Sequence, residues 1–364
     1  MSQKKVVVAG ASGLVGHAAM REYADSGAQV IAISRRAPFK TYGVEHVALD
    51  LQDEAACAEY FGQLEGVTHV VYGAVYEKPG LIAGWREAEQ IETNGCMLRN
   101  LLEPLEKASG KSLQHFSLLQ GTKAYGVHVA PIRIPARENR DERHDLDNFY
   151  WVQENYLREK QRGKNWYWSI FRPQIIFGLS LGSAMNLIPA IGVYAAILRE
   201  QGKPLIYPGG HCNLFEAVDA DLLARAIVWG GSTAAAQNEI FNVTNGDVFT
   251  WKELWPALAD MLGMEAGPDE PQSLGKTMPA LAGEWDRIRN RHELVAPSLS
   301  AFIGESFHMA DFCFAHGAEP NTVPPALVST IKLRQAGFSE VMDTETMFDK
   351  WFRVFEAEKL LPRP

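Results

Sequence analysis

The first sixteen residues constrain the fold most. Lys4 to Ala9 reads Lys-Lys-Val-Val-Val-Ala, an apolar run behind two charges, as expected for a strand buried on both faces. It runs directly into Gly10-Ala11-Ser12-Gly13-Leu14-Val15-Gly16, and helical spacing follows over His17 to Ser26. A strand, a glycine turn and a helix N-terminus together make an anion site. The glycines let backbone approach a pyrophosphate, and the unpaired helix N–H groups and dipole face it. The spacing is Gly-x-x-Gly-x-x-Gly, and a glycine triplet alone is weak evidence. Between a buried strand and a helix it predicts dinucleotide binding, through Gly10, Ser12, Gly13, Leu14 and Val15.

The chain then alternates. Gln29–Ser34 is a second strand, ending in Ser34-Arg35-Arg36. At this strand end an acidic residue hydrogen-bonds the 2′-hydroxyl of NAD, whereas basic residues accommodate the 2′-phosphate of NADP. A serine and two arginines favour NADP(H). A third strand over Gly43–Asp50 sets Asp50 and Leu51 near the adenine, and a fourth, His69–Ala74, ends at Ala74 and Val75. A helix over Gly84–Lys107, a strand at Leu113–Leu119, a helix from Asn148 to Arg162 and a strand at Trp166–Pro173 continue the series. Such alternation implies an α/β, Rossmann-type, doubly wound parallel sheet. From Glu265 the alternation is expected to stop, with Pro324–Ala336 and Thr344–Leu360 as two closing helices. The expected division is a dinucleotide-binding domain over 1–178, with segments of 206–246 added. A smaller, mostly helical substrate-binding cap takes 179–205 and 247–364.

Composition narrows the function classes. A net charge of −9 with no Lys/Arg-rich tract argues against a nucleic-acid surface. The longest apolar stretch, Leu187–Leu198, is shorter than the roughly 18 residues of a membrane span and is interrupted by Pro189 and Gly192. The chain enters its first strand with no leader pattern, and Cys57, Cys96, Cys212 and Cys313 are scattered. Both features lead us to expect reduced thiols in a cytoplasmic protein. The His144-Asp145-Leu146-Asp147 stretch has no second cluster at ligand spacing, so no metal is expected. Trp285 and the Phe307-His308-Met309 and Phe312 aromatics line a pocket or fill a core.

Lys123 and Tyr150 carry the chemical proposal. Lys123 lies just past the fifth strand and Tyr150 opens the helix at Asn148-Phe149-Tyr150. Ligands of such sheets lie outside the carboxyl ends of the strands, which is where both groups fall. A phenol beside an ammonium is an oxyanion site: the cation stabilises negative charge and the phenol donates a hydrogen bond. Without that context, Tyr150 reads as a half-buried helix tyrosine and Lys123 as a surface lysine.

The first strand, glycine turn and sheet resemble the extended short-chain dehydrogenase/reductases. Most of those pair a catalytic tyrosine with a lysine four residues later, but here that position is Glu154. The departure resembles one subgroup, the progesterone 5β-reductase and iridoid synthase-like enone reductases. Their lysine follows the fifth strand, and their tyrosine opens an Asn-Phe-Tyr helix. Ordered matches include Arg172-Pro173, Ile176-Phe177-Gly178, Val193–Ile197 and Phe241–Trp251. The resemblance implies hydride transfer from NADPH to the β-carbon of an α,β-unsaturated carbonyl, with Tyr150 and Lys123 holding the enolate oxygen. It also implies cofactor contacts at Leu119, Tyr150, Pro173, Ile176, Ser183, Ala184 and Met185, in addition to those above.

Departures from the subgroup are Leu119 for a usual glutamine, Gln120 for a threonine, Trp151 for a second tyrosine and Ala74-Val75 for a frequent Thr-Trp pair. The pocket is therefore expected to differ in shape from those of the plant enzymes. The expected partner is a small α,β-unsaturated carbonyl compound, with no nucleic acid or membrane, and a homodimer is compatible with the sequence. Two other readings share the scaffold: a carbonyl reductase or nucleotide-sugar epimerase/dehydratase, and a non-catalytic NADP(H)-sensing protein.

Overall fold

The computed structural model describes residues 3–78, 83–210, 213–318 and 324–364. Cys212 lies outside them, and Cys57, Cys96 and Cys313 are free thiols. The described residues form two compact units: 1–174, 220–243 and 328–340 make the first, and 175–219, 244–327 and 341–364 the second.

The first unit is built on seven strands: β1 Lys5–Ala9, β2 Gln29–Ser34, β3 Glu45–Ala48, β4 His69–Tyr72, β5 His115–Leu119, β6 Tyr167–Pro173 and β7 Glu239–Val243. Every pair is parallel. The order β7-β6-β5-β4-β1-β2-β3 reverses direction between β1 and β4. This is the doubly wound sheet expected from the alternation, and its switch point is where such sheets hold ligands. Val6, Val7 and Val8 of β1 are fully buried, as are Val70 and Val71 of β4. Each such side chain contributes about 1.5–3 kcal/mol relative to exposure, so the central strands anchor the unit. Helices α1 (Leu14–Asp25), α2 (Glu54–Phe61), α3 (Ala88–Ser109) and α4 (Phe149–Gln161) connect the strands. The fourth connection is shorter as a helix than expected, because Ala83–Arg86 is a 3-10 turn.

Among the described residues the second unit holds three strand pairs. Ile175–Phe177 is parallel to Ala217–Asp219, and Leu205–Tyr207 is parallel to Ala266–Asp269. Leu214–Phe215 is antiparallel to Phe249–Thr250. Its dividing points therefore differ from the expected ones. Residues 206–219 belong here because Ala217–Asp219 pairs with Ile175–Phe177 and does not join the large sheet. The strand at Ala266–Asp269 also corrects the expectation that alternation stops at Glu265. Within Pro324–Ala336 only Ile331–Gln335 is helical. Val328 belongs to the first unit and bridges Ala136 within it, and the Ala136 carbonyl accepts from Ser329 N–H at 2.8 Å. Thr344–Ala357 is a helix, as expected. Trp285 is a core residue. It is fully buried, lies stacked 5.7 Å from Phe302, and donates through Nε1 to the Pro297 carbonyl at 3.2 Å. Phe312 is exposed. Among the described residues no helix is long and apolar enough to cross a membrane.

Candidate active site

At the end of β1 the glycine turn is held by β2: the Gly10 and Ala11 N–H groups both donate to the Ile33 carbonyl, at 2.9 and 3.1 Å. Gly10 has φ +85°, and a Cβ there would lie 2.7 Å from the Gly73 carbonyl carbon just past β4. Only glycine permits both the left-handed backbone and that approach. A Cβ at Gly16 would lie 2.2 Å from the Gly10 carbonyl oxygen, so the turn and α1 close tightly on each other. Gly13 caps α1 with no side-chain hydrogen bond, and no acidic residue stands in the first turn. The N-terminal N–H groups and the dipole of α1 are thus uncompensated by any side chain, which suits a phosphate. Val15 packs toward Gly73. Ser34 accepts or donates across to His46 Nε2 at 3.1 Å and donates to the Arg36 carbonyl at 2.7 Å, while Arg35 and Arg36 stand exposed beside it. Asp50 uses one carboxylate oxygen to accept the Gln52 N–H at 3.1 Å. Leu51 is buried and its carbonyl accepts from Asn100 at 2.9 Å. Ala74 and Val75 follow β4, with Val75 exposed. These residues fit the dinucleotide reading: a cradle that a Cβ would fill, an uncapped helix end and two unmasked cations.

Lys123 lies in a 3-10 turn, Thr122–Tyr125, directly after β5 and Leu119. Tyr150 is the second residue of α4, whose N-cap Asn148 accepts the Tyr150 N–H at 3.0 Å. Asn148 also donates through Nδ2 to the Lys123 carbonyl at 3.3 Å. One capping side chain therefore joins the lysine turn to the tyrosine helix. A Cβ at Gly121 would lie 3.3 Å from the Tyr150 hydroxyl and 3.6 Å from the Pro173 carbonyl oxygen, so the phenol tip rests over bare backbone at the ends of β5 and β6.

The two groups meet on Trp85. The Lys123 Nζ sits 3.4 Å from the indole centroid, and the Tyr150 ring meets the same indole edge-on at 5.3 Å. Trp85 Nε1 donates to Glu77 Oε1 at 2.9 Å, and that oxygen lies 4.0 Å from the Lys123 Nζ. Burial pushes the Lys123 ammonium down to about 8, against the opposing pull of Glu77. Burial, with Glu77 adding to it, pushes the Tyr150 phenol well above its ordinary value, so it stays a neutral donor. Sequence reasoning missed Glu77 and Trp85, because neither lies in a motif and both are distant in the chain from Lys123.

Glu154, where most relatives of the wider class carry lysine, is buried and bound. Arg172, fully buried, donates from Nη2 to Glu154 at 3.2 Å, from Nη1 to Glu142 at 2.9 Å and from Nε to Gln120 at 2.8 Å. Gln120 in turn donates to Glu154 at 3.1 Å and to the Tyr150 carbonyl at 3.3 Å. A lysine at 154 would face Arg172, so the usual pair has no place here. Near this network the His144 ring lies tilted against Trp151 with centroids 4.0 Å apart, and Asp145 pairs with Arg143 at 2.7 Å.

The four remaining predicted contacts belong to the second unit. Ile176 pairs in register with Val218. Ser183 accepts from Ser306 Oγ at 2.7 Å through its carbonyl, and its own Oγ accepts the Met185 N–H at 3.4 Å, with Ala184 between them.

Comparison with known proteins places the chain in a family. A model of the PRISE-like Rossmann-fold domain matches residues 46–284. The chain is 31% identical over 353 residues to (S)-8-oxocitronellyl enol synthase of Antirrhinum majus, covering 89% of this chain and 86% of that protein. It is 30% identical over 383 residues to 3-oxo-Delta(4,5)-steroid 5-beta-reductase of Arabidopsis thaliana, covering 98% and 92%. Among solved structures, the Thermus thermophilus UDP-glucose 4-epimerase complex with NAD matches with a TM-score of 0.65 at 17% identity, over 96% of this chain and 99% of that one. That likeness shows the extended Rossmann fold. The chain belongs to the PRISE-like family, the progesterone 5β-reductase and iridoid synthase-like oxidoreductases of the short-chain dehydrogenase/reductase class.

Proposed function

We propose that the protein reduces the C=C bond of α,β-unsaturated carbonyl compounds with NADPH. The observation that carries the reading is the placement of the Lys123 ammonium and the Tyr150 phenol on one indole, at the carboxyl ends of β5 and β6. Gly10, Ser12, Gly13, Leu14 and Val15 would hold the pyrophosphate. Ser34, Arg35 and Arg36 would hold the 2′-phosphate, and Asp50 and Leu51 the adenine. Ala74, Val75, Leu119, Pro173, Ile176, Ser183, Ala184 and Met185 would serve the nicotinamide half. When bound, the reduced nicotinamide supplies the hydride. The Tyr150 hydroxyl donates a hydrogen bond to the substrate carbonyl oxygen, which gains negative charge as the β-carbon is reduced. The Lys123 ammonium stabilises that charge across a site from which the indole excludes water. Both interactions are stronger for the enolate than for the neutral enone, which is what lowers the barrier. Relatives named as a steroid 5-beta-reductase and an enol synthase support the reaction class.

The test is purified protein with NADPH and a panel of simple cyclic and open-chain enones, with products identified by mass spectrometry. Saturation of the C=C bond is expected, whereas an allylic alcohol would mark a carbonyl reductase. The double variant Lys123→Met, Tyr150→Phe should bind NADPH with nearly unchanged affinity and lose at least ~10²–10³ in kcat. Equal turnover by the double variant would remove both residues from the site.

A further inference from the structure

An ammonium that is to stabilise a developing enolate must satisfy two opposed conditions. It must be shielded from water so that its field is strong, yet burial favours loss of its proton. A carboxylate in direct contact would keep it charged but would cancel the field it presents to substrate. The surroundings of Lys123 meet both conditions by an indirect route.

Glu77 stands 4.0 Å from the Lys123 Nζ, and its Oε1 is engaged by the Trp85 indole N–H at 2.9 Å. The same indole offers its face to the ammonium at 3.4 Å and meets the Tyr150 ring in a T-shaped arrangement at 5.3 Å. The loop bearing Glu77 is fixed from α3. Tyr76 N–H donates to Asn94 Oδ1 at 2.9 Å, Asn94 Nδ2 donates to the Tyr76 carbonyl at 2.8 Å, and Lys78 N–H donates to Gln90 Oε1 at 2.9 Å. Gln90 and Asn94 are fully buried, so residues on both sides of Glu77 are hydrogen-bonded to side chains of the interior. The neighbouring ionisable groups are otherwise committed. Tyr125 donates to Asn242 at 2.5 Å, and Arg172 is paired with Glu142 and Glu154. Tyr150 is the neutral donor, and His128 lies against Trp85 at 6.2 Å. Glu77 is the group whose charge acts on Lys123.

We propose that Glu77 and Trp85 are positioning residues: the indole holds the carboxylate off the ammonium while serving as the floor for both Lys123 and Tyr150. The carboxylate keeps Lys123 charged at working pH, and the tether to Nε1 leaves the ammonium's open side to the substrate oxygen. The indole face binds the cation by its quadrupole, an attraction that strengthens when water is excluded. This assignment deepens the enone-reductase reading and rests on it for the identity of the oxygen, but its test does not.

The experiment follows the rate of acylation of Lys123 by an amine-directed reagent against pH, read on the Lys123 peptide by mass spectrometry in the full-length protein. The wild-type midpoint should lie near 8. Glu77→Gln keeps an acceptor for the indole N–H and removes the charge. Its midpoint should fall by about one unit, equivalent to about tenfold more free amine below the midpoint. An unchanged midpoint would overturn the role of Glu77. Trp85→Phe keeps a ring face for the ammonium but loses the N–H that holds Glu77 off it, so its midpoint should rise above the wild-type value, and an unchanged midpoint would overturn the tether. Trp85→Leu loses the ring face as well and should titrate below Trp85→Phe, and identical midpoints in those two variants would overturn the role of the ring. In turnover, Glu77→Gln should move the alkaline limb of kcat down in pH with KM for NADPH unchanged. A shifted midpoint in a protein that reduces no enone would sink the functional reading and leave the clamp standing.

Discussion

Arg35 and Arg36 show what a single residue can and cannot announce. Both are exposed at the end of β2, with no ion pair among the described residues. The absence of an acidic residue there was legible from the sequence, and it is the ground for expecting a 2′-phosphate. A charge-assisted hydrogen bond contributes about 1.5–3 kcal/mol. The variant Arg35→Ala, Arg36→Ala should therefore weaken NADPH by about 10–100-fold and NADH by little, as measured by fluorescence titration of each nucleotide. An unaltered preference would remove the phosphate argument. Lys123 is the opposite case. Its place after β5 could be read, but its partners could not. Glu77 and Trp85 precede it by 46 and 38 positions in the chain. The backbone on either side of Glu77 is held from α3, Tyr76 by Asn94 and Lys78 by Gln90.

At the scale of elements, α4 explains why the usual Tyr-x-x-x-Lys pair is missing. Residues i and i+4 of a helix lie on one face, so position 154 follows Tyr150 inward. There Arg172, fully buried on β6, already supplies the positive charge. Glu154 answers it, and Gln120, at a position where similar enzymes have a threonine, completes the hydrogen bonding. Reinstating the familiar spacing by Glu154→Lys should not create a second catalytic pair. It should set two cations together in the interior and leave Arg172 short of a partner. Breaking such a pair costs about 3–5 kcal/mol. The expected result is a large fall in the urea midpoint, and a variant as stable as the parent would show that Arg172 does not depend on Glu154. The N-cap of the same helix was legible in Asn148-Phe149-Tyr150. Its second bond, to the Lys123 carbonyl, was not, because it joins two segments 25 residues apart.

Across the whole molecule, the two ends of the sheet have different chemistry. The carboxyl ends carry the candidate site. The opposite end holds His69 and His115, paired in register at the starts of β4 and β5 with rings 6.1 Å apart. Burial pushes His69 down to about 4 and His115 to about 3. Both are depressed below the unfolded value near 6.5, so below that pH the unfolded chain binds protons that the native sheet refuses. Their contribution is complete above about 6.5 and is lost as pH falls toward 4, at about 1.4 kcal/mol per unit for each histidine. The urea midpoint should decline between pH 7 and pH 5, and His115→Gln should flatten that decline. A parallel decline in the variant would exclude His115 as a source. This acid limb concerns stability and is separate from the alkaline limb of turnover expected if Lys123, whose ammonium burial pushes down to about 8, acts in the reaction.

The sequence by itself determined the doubly wound sheet and the glycine turn, and it singled out Lys123 and Tyr150 as candidates. Those features are local: apolar runs, turn residues and helix starts are set by neighbours within a few positions. Only the tertiary structure decided what surrounds the two groups: an indole beneath both, a carboxylate held at arm's length, and a buried Arg172–Glu154 pair where a lysine was the familiar choice. It also decided that Leu214–Phe215 and Ala217–Asp219 pair within the second unit and that 328–340 belong to the first. Contacts between distant segments depend on which surfaces the packed core brings face to face, and no periodicity along the chain encodes that.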